Sequence, residues 1–321
     1  MSGGGHHHSH GHDHGQGHGH GHAHHHIDPA AGDWRVAGAI GVNLLLTVAQ
    51  VVGGLVSGSL ALIADALHNL SHALSLVIAF VARKIARRPA DAVMTFGYGR
   101  AEVVAALVNY TTLIILGLYL GYEALWRLAE PEPVRGWIVI WVAALALVVD
   151  LATALLTFSM SKGSANIRAA FLHNLADAAG SVAVIIAGAG VLLFGWTILD
   201  PLLTLVIAGY ILWMSVSEIG GVIRVLMLGA PAGLDTQEVL AALRGIEGVA
   251  DLHHVHLWEM QENTPALESH VVLEPGRWDQ ADAIKARIKA ALAERFGIGH
   301  VTLEMECARH ACEDAQLIGD A

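Results

Sequence analysis

The sequence predicts a membrane protein with an all-α domain of six transmembrane helices, followed by a C-terminal cytoplasmic α+β domain. Three observations support this: an apolar composition, the length of the apolar runs, and an ordinary soluble composition after residue 228. Hydrophobic residues make up 54% of the 321 residues and charged residues 15%, whereas soluble proteins average roughly 25% charged. The apolar runs are about 20 residues long, which is enough to cross a hydrocarbon core.

The first 33 residues predict a disordered cytoplasmic tail. Residues 1–26 hold 12 of the 21 histidines, interleaved mainly with Gly, and such a segment has almost nothing apolar to bury. An expression tag is the alternative, although tags are usually uninterrupted His runs and this segment has scattered Gly-His repeats. We expect no signal peptide, because the segment lacks an apolar stretch.

Six apolar spans follow within residues 34–228, which we assign to a transmembrane domain. Their predicted bounds are 34–56, 60–85, 101–128, 137–160, 165–194 and 199–226. Trp126, Trp137 and Trp196 lie near span ends, as interfacial aromatic residues do.

Basic residues indicate how the spans are oriented. The end of the second span and the connection after it carry Arg83, Lys84, Arg87, Arg88 and Arg100, whereas the connections after the first and fifth spans carry no basic residue. Because basic connections stay in the cytoplasm, we expect a multi-pass protein of the cell inner membrane with both termini cytoplasmic.

Residues 229–321 predict a separate domain with the order helix, strand, strand, helix, strand. Asp235 and Asp279 are candidate caps for helices ending near Ile246 and Phe296. Residues 255–259, 267–273 and 300–306 alternate in polarity as strands do.

Ionisable residues inside the spans are the strongest functional signal. Each costs about 2.5–3.5 kcal/mol on insertion scales, so each needs a physical reason. The second span contains Asp65, His68 and His72, and the fifth contains His173 and Asp177. Spacings of three and four residues place the members on one face of each helix.

The two spans also carry a repeated motif. Residues 67–73 read LHNLSHA and residues 172–178 read LHNLADA. Packed face to face, the two helices would bring together three imidazoles and one carboxylate, a donor set that suits tetrahedral zinc and that cobalt(II) also accepts. Polar groups that hydrogen-bond between helices are the alternative, but they explain one buried histidine better than four matched ionisable groups.

These features, with residues 95–102 (TFGYGRAE), resemble the cation diffusion facilitator family over roughly residues 34–306. Within the family, it is similar to the bacterial zinc, cobalt and cadmium resistance exporters and to the animal zinc transporters. The resemblance implies a metal/proton antiporter, not an enzyme, that exports zinc and also cobalt or cadmium. It further implies a ferredoxin- or metallochaperone-like C-terminal domain, a homodimer in the lipid bilayer, no cofactor and no nucleic acid partner.

The resemblance assigns the transport site to His68, His72, His173 and Asp177, with one departure. Where the family usually has Asp as the second ligand of span two, this chain has His72. One formal negative charge then remains among four ligands, so we expect a steeper loss of metal affinity below about pH 6.5. Asp65 is expected to compensate in part, as a partner of His68 or as an alternative ligand.

A second metal site of the family, in the connection between spans two and three, is poorly matched. Asp91 occupies a suitable position, but Met94 and Tyr98 replace the expected histidines. We therefore interpret Asp91 as a loop carboxylate.

The C-terminal domain offers further candidate ligands on or beside adjacent strands. They are His254, His256, His270, Glu304 and Glu306, with His253 next to them. The segments 255–258 (VHLW) and 269–271 (SHV) resemble the family's metal-sensing domain. Cys307, His310 and Cys312 are weaker candidates for soft ligands, and solvated strand histidines are the alternative.

Two rival functions use the same residues. A membrane-embedded metal sensor without transport would bind the ion and move nothing. A membrane zinc hydrolase would need an open coordination position and a general base, usually in a His-Glu-x-x-His pattern, and the sequence has no such motif.

Overall fold

In the computed structural model of the chain, long helices precede a small sheet covered by two helices. The structure describes residues 33–160, 165–261, 263–307, 309, 311–312 and 316–319. At some helical positions, including His72 and His173, the side chain is not among the described parts. The predicted His-rich tail up to residue 32, and His310, also lie outside the described residues.

The observed helices match the six predicted spans to within one residue at each end. They are α1 (Asp33–Ser57), α2 (Leu60–Ala86), α3 (Ala101–Ala129), α4 (Gly136–Met160), α5 (Ala165–Phe194) and α6 (Leu199–Leu226). In the described residues, α3, α4, α5 and α6 are long and apolar enough to cross a membrane, and Leu44–Ser57 of α1 is a shorter apolar segment. Together these helices form the predicted transmembrane helical domain.

Helix α2 packs against helices on two sides. Its Leu60 and Ala64 form one buried cluster with residues of α3 and α6, and its Leu62 forms another with residues of α4 and α5. The partners in these clusters are Leu120, Ala124, Ala208, Val139, Ala143 and Val184. Because α2 has helices on two sides, its Asp65 and His68 are buried inside the bundle.

Asp200 at the start of α6 holds the beginning of α2. Its carboxylate accepts hydrogen bonds from the Ser59 hydroxyl and from the backbone N–H of Leu60, the latter at 2.7 Å. The first N–H groups of a helix have no partner within the helix, and Asp200, which is 2% exposed, supplies one. Gly58 makes the preceding turn with φ of 75°, and its carbonyl accepts a hydrogen bond from Arg127 of α3.

The C-terminal domain has the predicted α+β order. Its elements are α7 (Thr236–Arg244), β1 (Val249–Gln261), β2 (Thr264–Leu273), α8 (Ala281–Phe296) and β3 (His300–Cys307). The sheet order is β1-β2-β3, with β1 antiparallel and β3 parallel to β2. Apolar residues of both helices pack on the sheet to form one core, which includes Leu240, Leu243, Ile284, Ile288, Leu267 and Val271.

Two details of this domain differ from the prediction. Asp235 caps α7 as predicted, since its side chain accepts a hydrogen bond from the Gln237 N–H at 2.8 Å. The prediction that Asp279 caps α8 is wrong. A 3₁₀ turn at Trp278–Gln280 precedes α8, and the helix begins without a side-chain cap. Strand β1 also begins earlier than predicted, because an irregularity between His253 and His256 breaks its alternation.

Candidate metal centres

His68 of α2 and Asp177 of α5 face each other inside the helical bundle. The Nε2 atom of His68 lies 3.7 Å from the Oδ1 atom of Asp177. His68 is buried, and its ring packs edge-on against Tyr210 of α6 at 6.0 Å between ring centroids. The structure therefore brings one member of each predicted pair together, at a point where α2, α5 and α6 meet.

Asp65, one turn before His68, is held by helix α1. Its Oδ2 atom accepts a hydrogen bond from Gln50 Nε2 at 2.6 Å, and Asn69 donates to Gln50 Oε1 at 3.3 Å. Both Asp65 and Gln50 are buried. Asp65 also faces α5, because a Cβ atom added at Gly180 would lie 3.8 Å from its Oδ1 atom. In this geometry Asp65 borders the site and is oriented by Gln50.

A third buried carboxylate comes from α4. Asp150 accepts a hydrogen bond from the Ser181 hydroxyl of α5 at 2.9 Å. It lies near enough to Asp65 and Asp177 to interact electrostatically with both. Asp65, Asp150 and Asp177 thus place three carboxylates in the part of the bundle that holds His68, and each attracts a cation when it is ionised.

A second cluster of ligand atoms lies in the C-terminal domain. Atoms of His253, His270, Glu306 and Cys312 all lie within 4.8 Å of one another. His270 Nδ1 is 2.6 Å from Glu306 Oε1, and His253 Nε2 is 3.2 Å from Glu306 Oε2. Cys312 Sγ is 3.7 Å from Glu306 Oε1. Two nitrogens, one oxygen and one sulfur are a suitable donor set for zinc.

Two atoms of this cluster are buried without a hydrogen bond. His253 Nε2 and Glu306 Oε2 make none within the described residues, although they lie close together. Buried polar atoms are nearly always satisfied, so a cation held by both atoms would remove an otherwise costly arrangement.

A bulge in β1 and the chain beyond β3 assemble this cluster. His254 has φ of 48°, a left-handed conformation at the irregularity, and His253 pairs with His270 across the strands. The N–H groups of His254 and Val255 donate to the carbonyls of Gln316 and Leu317, at 3.0 Å each. These bonds hold the C-terminal segment against β1.

Of the predicted ligands of this domain, the structure brings some into the cluster and leaves others outside it. His270 and Glu306 belong to the cluster, and Glu304 Oε2 lies 3.4 Å from His270 Nε2 at its edge. The His254 ring lies 4.9 Å from the His270 ring without joining the four ligand groups. His256 pairs with Glu268 across the strands, beyond the bulge and away from the cluster.

The surroundings of Cys312 affect its ionisation. Desolvation raises the pKa of the Cys312 thiol, and the negative charge of Glu306, together with a hydrogen bond to it, raises the pKa further. The free thiol therefore stays protonated near neutral pH, and a metal must displace that proton to bind sulfur.

Asp91 makes its hydrogen bonds within its own loop. Its Oδ1 atom accepts hydrogen bonds from the N–H groups of Val93 and Met94, at 2.8 Å each, and its Oδ2 atom accepts one from the Tyr98 hydroxyl at 2.7 Å. The Met94 and Val93 N–H groups and the Tyr98 hydroxyl hold the pKa of Asp91 below its usual range. This geometry agrees with the interpretation of Asp91 as a loop carboxylate.

Sequence reasoning missed Gln50 and Asp200. Both are polar residues in or at the start of a span, which is the signal that identified the histidines. Each has its hydrogen-bond partner on another helix. Gln50 bonds to Asp65, 15 residues away along the chain, and Asp200 bonds to Leu60, 140 residues away. Such distant pairings could not be read from local spacing.

Comparison with protein families gives two matches that together cover most of the chain. A cation efflux transmembrane domain matches residues 36–227, and a cation efflux protein cytoplasmic domain matches residues 231–308.

Individual relatives align over most of their own length. The chain is 34% identical over 273 residues to a cadmium, cobalt and zinc/H(+)-K(+) antiporter of Bacillus subtilis, which covers 84% of this chain and 88% of that protein. It is 36% identical over 282 residues to the zinc transporter ZitB of Pectobacterium atrosepticum, which covers 87% of each. A solved metal-bound C-terminal domain of the CzcD transporter aligns with 23% of this chain and 99% of its own, at 29% identity and a TM-score of 0.22.

Proposed function

The chain belongs to the cation diffusion facilitator family of cation efflux proteins, and on that premise we propose a function for each of its two metal centres. The protein is a multi-pass membrane transporter, not an enzyme, that exchanges a divalent metal cation for protons. Its exported ions are zinc, cobalt or cadmium, the metals in its relatives' names. No cofactor is required for this exchange.

The transmembrane centre is the proposed transport site, and the spacing of His68 and Asp177 carries this proposal. Bonds of 2.0–2.1 Å in a tetrahedral zinc site place two ligand atoms about 3.4 Å apart. The observed separation of His68 Nε2 and Asp177 Oδ1 is 3.7 Å. One ion can therefore be bound by both atoms after a small side-chain adjustment.

His72 and His173 complete the proposed ligand set. Each lies four residues from its partner, so it lies one turn away on the same helix face. Consecutive spans alternate in direction, so α2 and α5 run in opposite directions. The turn from His68 to His72 and the turn from Asp177 to His173 therefore lead towards the same membrane surface, and both histidines come to the same depth.

Exchange follows from competition between protons and metal for the same atoms. Metal binds deprotonated imidazoles and carboxylate, and protonation of those groups releases it. In the proposed cycle the helices rock around the fixed site, so that it opens first to the cytoplasm and then outward. Asp65, oriented by Gln50, supplies part of the negative charge that His72 lacks.

The remaining parts of the proposal concern the chain's organisation. Residues 1–33 form a cytoplasmic tail that gathers metal, residues 34–228 the transport domain, and residues 229–321 a regulatory domain that pairs two copies. Both termini lie in the cytoplasm and the protein lies in the cell inner membrane. The basic connection between α2 and α3 supports this orientation.

Purified protein in vesicles that contain a pH-sensitive dye tests the transport proposal. An antiporter moves protons when zinc is added on one side of the membrane. A metal sensor binds zinc without moving protons, so binding without a dye response would contradict the proposal.

Replacing His72 by Asp is expected to make zinc binding less sensitive to acid. The change restores a second formal negative charge, and a carboxylate keeps its charge well below the imidazole pKa. Titration of zinc from about pH 5.5 to 8 measures the difference between the variant and the unchanged protein. Identical pH profiles would contradict the account of His72.

Replacing Cys312 by Ser is expected to weaken metal binding in the C-terminal domain, with a larger loss for cadmium than for zinc. The variant loses a soft sulfur donor, which cadmium prefers more strongly. Cys307→Ser is the matched control, because Cys307 lies on β3 outside the cluster. Calorimetric titration of both variants measures the effect, and equal losses in the two would contradict a ligand role for Cys312.

A further inference from the structure

A cavity of about 780 Å³ lies at the end of the helical bundle that meets the C-terminal domain. The end of α2, the start of α3, the loop between them and the end of β1 enclose it. Its walls are mostly apolar and include Val77, Val81, Val93, Phe96 and Val104. All five side chains are about half exposed or more, so the cavity opens outward from the bundle.

The contact between the two domains forms one end of the cavity. Arg100 donates from Nε to the carbonyl of Met260 at 2.8 Å, and both residues line the cavity. A Cβ atom at Gly99 would overlap the side chain of Gln261. This tight junction places the cavity at the membrane surface on the side of the C-terminal domain.

Two basic side chains lie at the edge of the cavity, beyond its apolar walls. Val77, Val81 and Lys84 follow one face of α2, at spacings of four and three residues. The Arg88 guanidinium lies 6.0 Å from the ring centroid of Tyr98, which lines the cavity. Within the described part of the chain, Lys84 and Arg88 have no ion-pair partner, and both are exposed.

An occupant must complement both an apolar cavity beside membrane helices and cations at its rim. We propose that the cavity binds an anionic phospholipid from the leaflet on the side of the C-terminal domain. One acyl chain packs against Val77, Val81 and Val104, and the phosphate group pairs with Lys84 and Arg88. Basic pockets at helix ends bind anionic head groups in this way.

A second copy of the chain fits this face less well. In a symmetric pair the same patch faces itself, so Lys84 and Arg88 of each copy would meet a surface that carries the same two positive charges. A lipid phosphate neutralises Lys84 and Arg88, whereas a second copy adds like charge. This inference holds whichever metal is transported.

Photoreactive lipids test the proposal on the full chain in vesicles. Phosphatidylglycerol and phosphatidylcholine, each with a diazirine on one acyl chain, are cross-linked separately, and mass spectrometry maps the adducts. We expect adducts on residues 77–85 and 101–105, with roughly tenfold more from phosphatidylglycerol. A protein with both Lys84→Gln and Arg88→Gln should give no more adducts from phosphatidylglycerol than from phosphatidylcholine.

The pair Lys285→Gln and Lys289→Gln is the matched control, since it removes two positive charges from α8, which does not line the cavity. This pair should leave the phosphatidylglycerol yield unchanged. Equal yields from the two lipids in the unchanged protein would overturn the proposal, whatever the variants do. A benzophenone side chain at Val81 that links two copies of the chain instead of lipid would overturn it as well.

Discussion

Replacing Asp177 by Asn should reduce zinc-driven proton flux by at least about 10- to 100-fold. Removing a residue that only hydrogen-bonds to a metal ligand already causes a loss of this size, and Asp177 is proposed to bind the metal itself. Asp177 is the one carboxylate among the four proposed ligands and lies 3.7 Å from His68. The amide keeps the shape of the side chain but supplies no charge for a dication in a bundle of low dielectric constant. The flux of the variant in dye-loaded vesicles measures the loss.

Glu130→Gln is the control for the removal of a carboxylate. Glu130 is exposed at the end of α3, and its replacement should leave flux within error of the unchanged protein. His68→Ala should lose flux as Asp177→Asn does, because both side chains bind the same ion. An Asp177→Asn protein that still exchanges zinc for protons at the original rate would contradict the assigned site.

Replacing Asp200 by Ala is expected to destabilise the helical bundle by about 1–3 kcal/mol. The carboxylate accepts hydrogen bonds from the Ser59 hydroxyl and from the N–H groups of Leu60 and Ala61. These donors are buried at the start of α2, and an alanine leaves them without an acceptor. Because α2 carries His68, loosening its first turn should also lower transport.

Thermal unfolding in detergent, followed by the loss of monodisperse protein, measures this effect. Asp282→Ala in the first turn of α8 is the control, because Asp282 is exposed and no cap depends on its side chain. Asp200→Asn should fall between the unchanged protein and the alanine variant, since its amide oxygen still accepts a hydrogen bond. An alanine variant as stable as the control would show that the cap is unimportant.

The sequence predicted the transmembrane helices well because the membrane imposes simple rules. A span must be apolar and long enough to cross, and each connection here is short and contains Gly, Pro or charged residues. The first span ends before Gly58 and the third before Pro131, and the structure agrees to one residue. Hydrogen bonds between distant helices, such as that from Gln50 to Asp65, left no local pattern.

The ligands of the transmembrane site were easier to predict from the sequence than those of the C-terminal cluster, because a helix is more regular than a bulged strand. Helical spacing is regular, so the sequence alone could assign His68 and Asp177 to facing sides of their helices. A strand bulge shifts its register, so the sequence put His254 and His256 among the ligands with His253 beside them, whereas the structure turns His253 towards His270. Cys312 joins through the C-terminal segment, whose pairing with β1 no pattern near the cysteine indicated.

X-ray absorption at the zinc edge tests the shared transmembrane site most directly. The sample is a chain without residues 1–32 and with His253→Ala and Cys312→Ser, loaded with one zinc, so that neither the tail nor the C-terminal cluster competes. We expect four nitrogen and oxygen ligands near 2.0–2.1 Å, with scattering from imidazole rings. The same spectrum after the further change Asp177→Asn, or a shell of six oxygens without imidazole, would contradict the shared site.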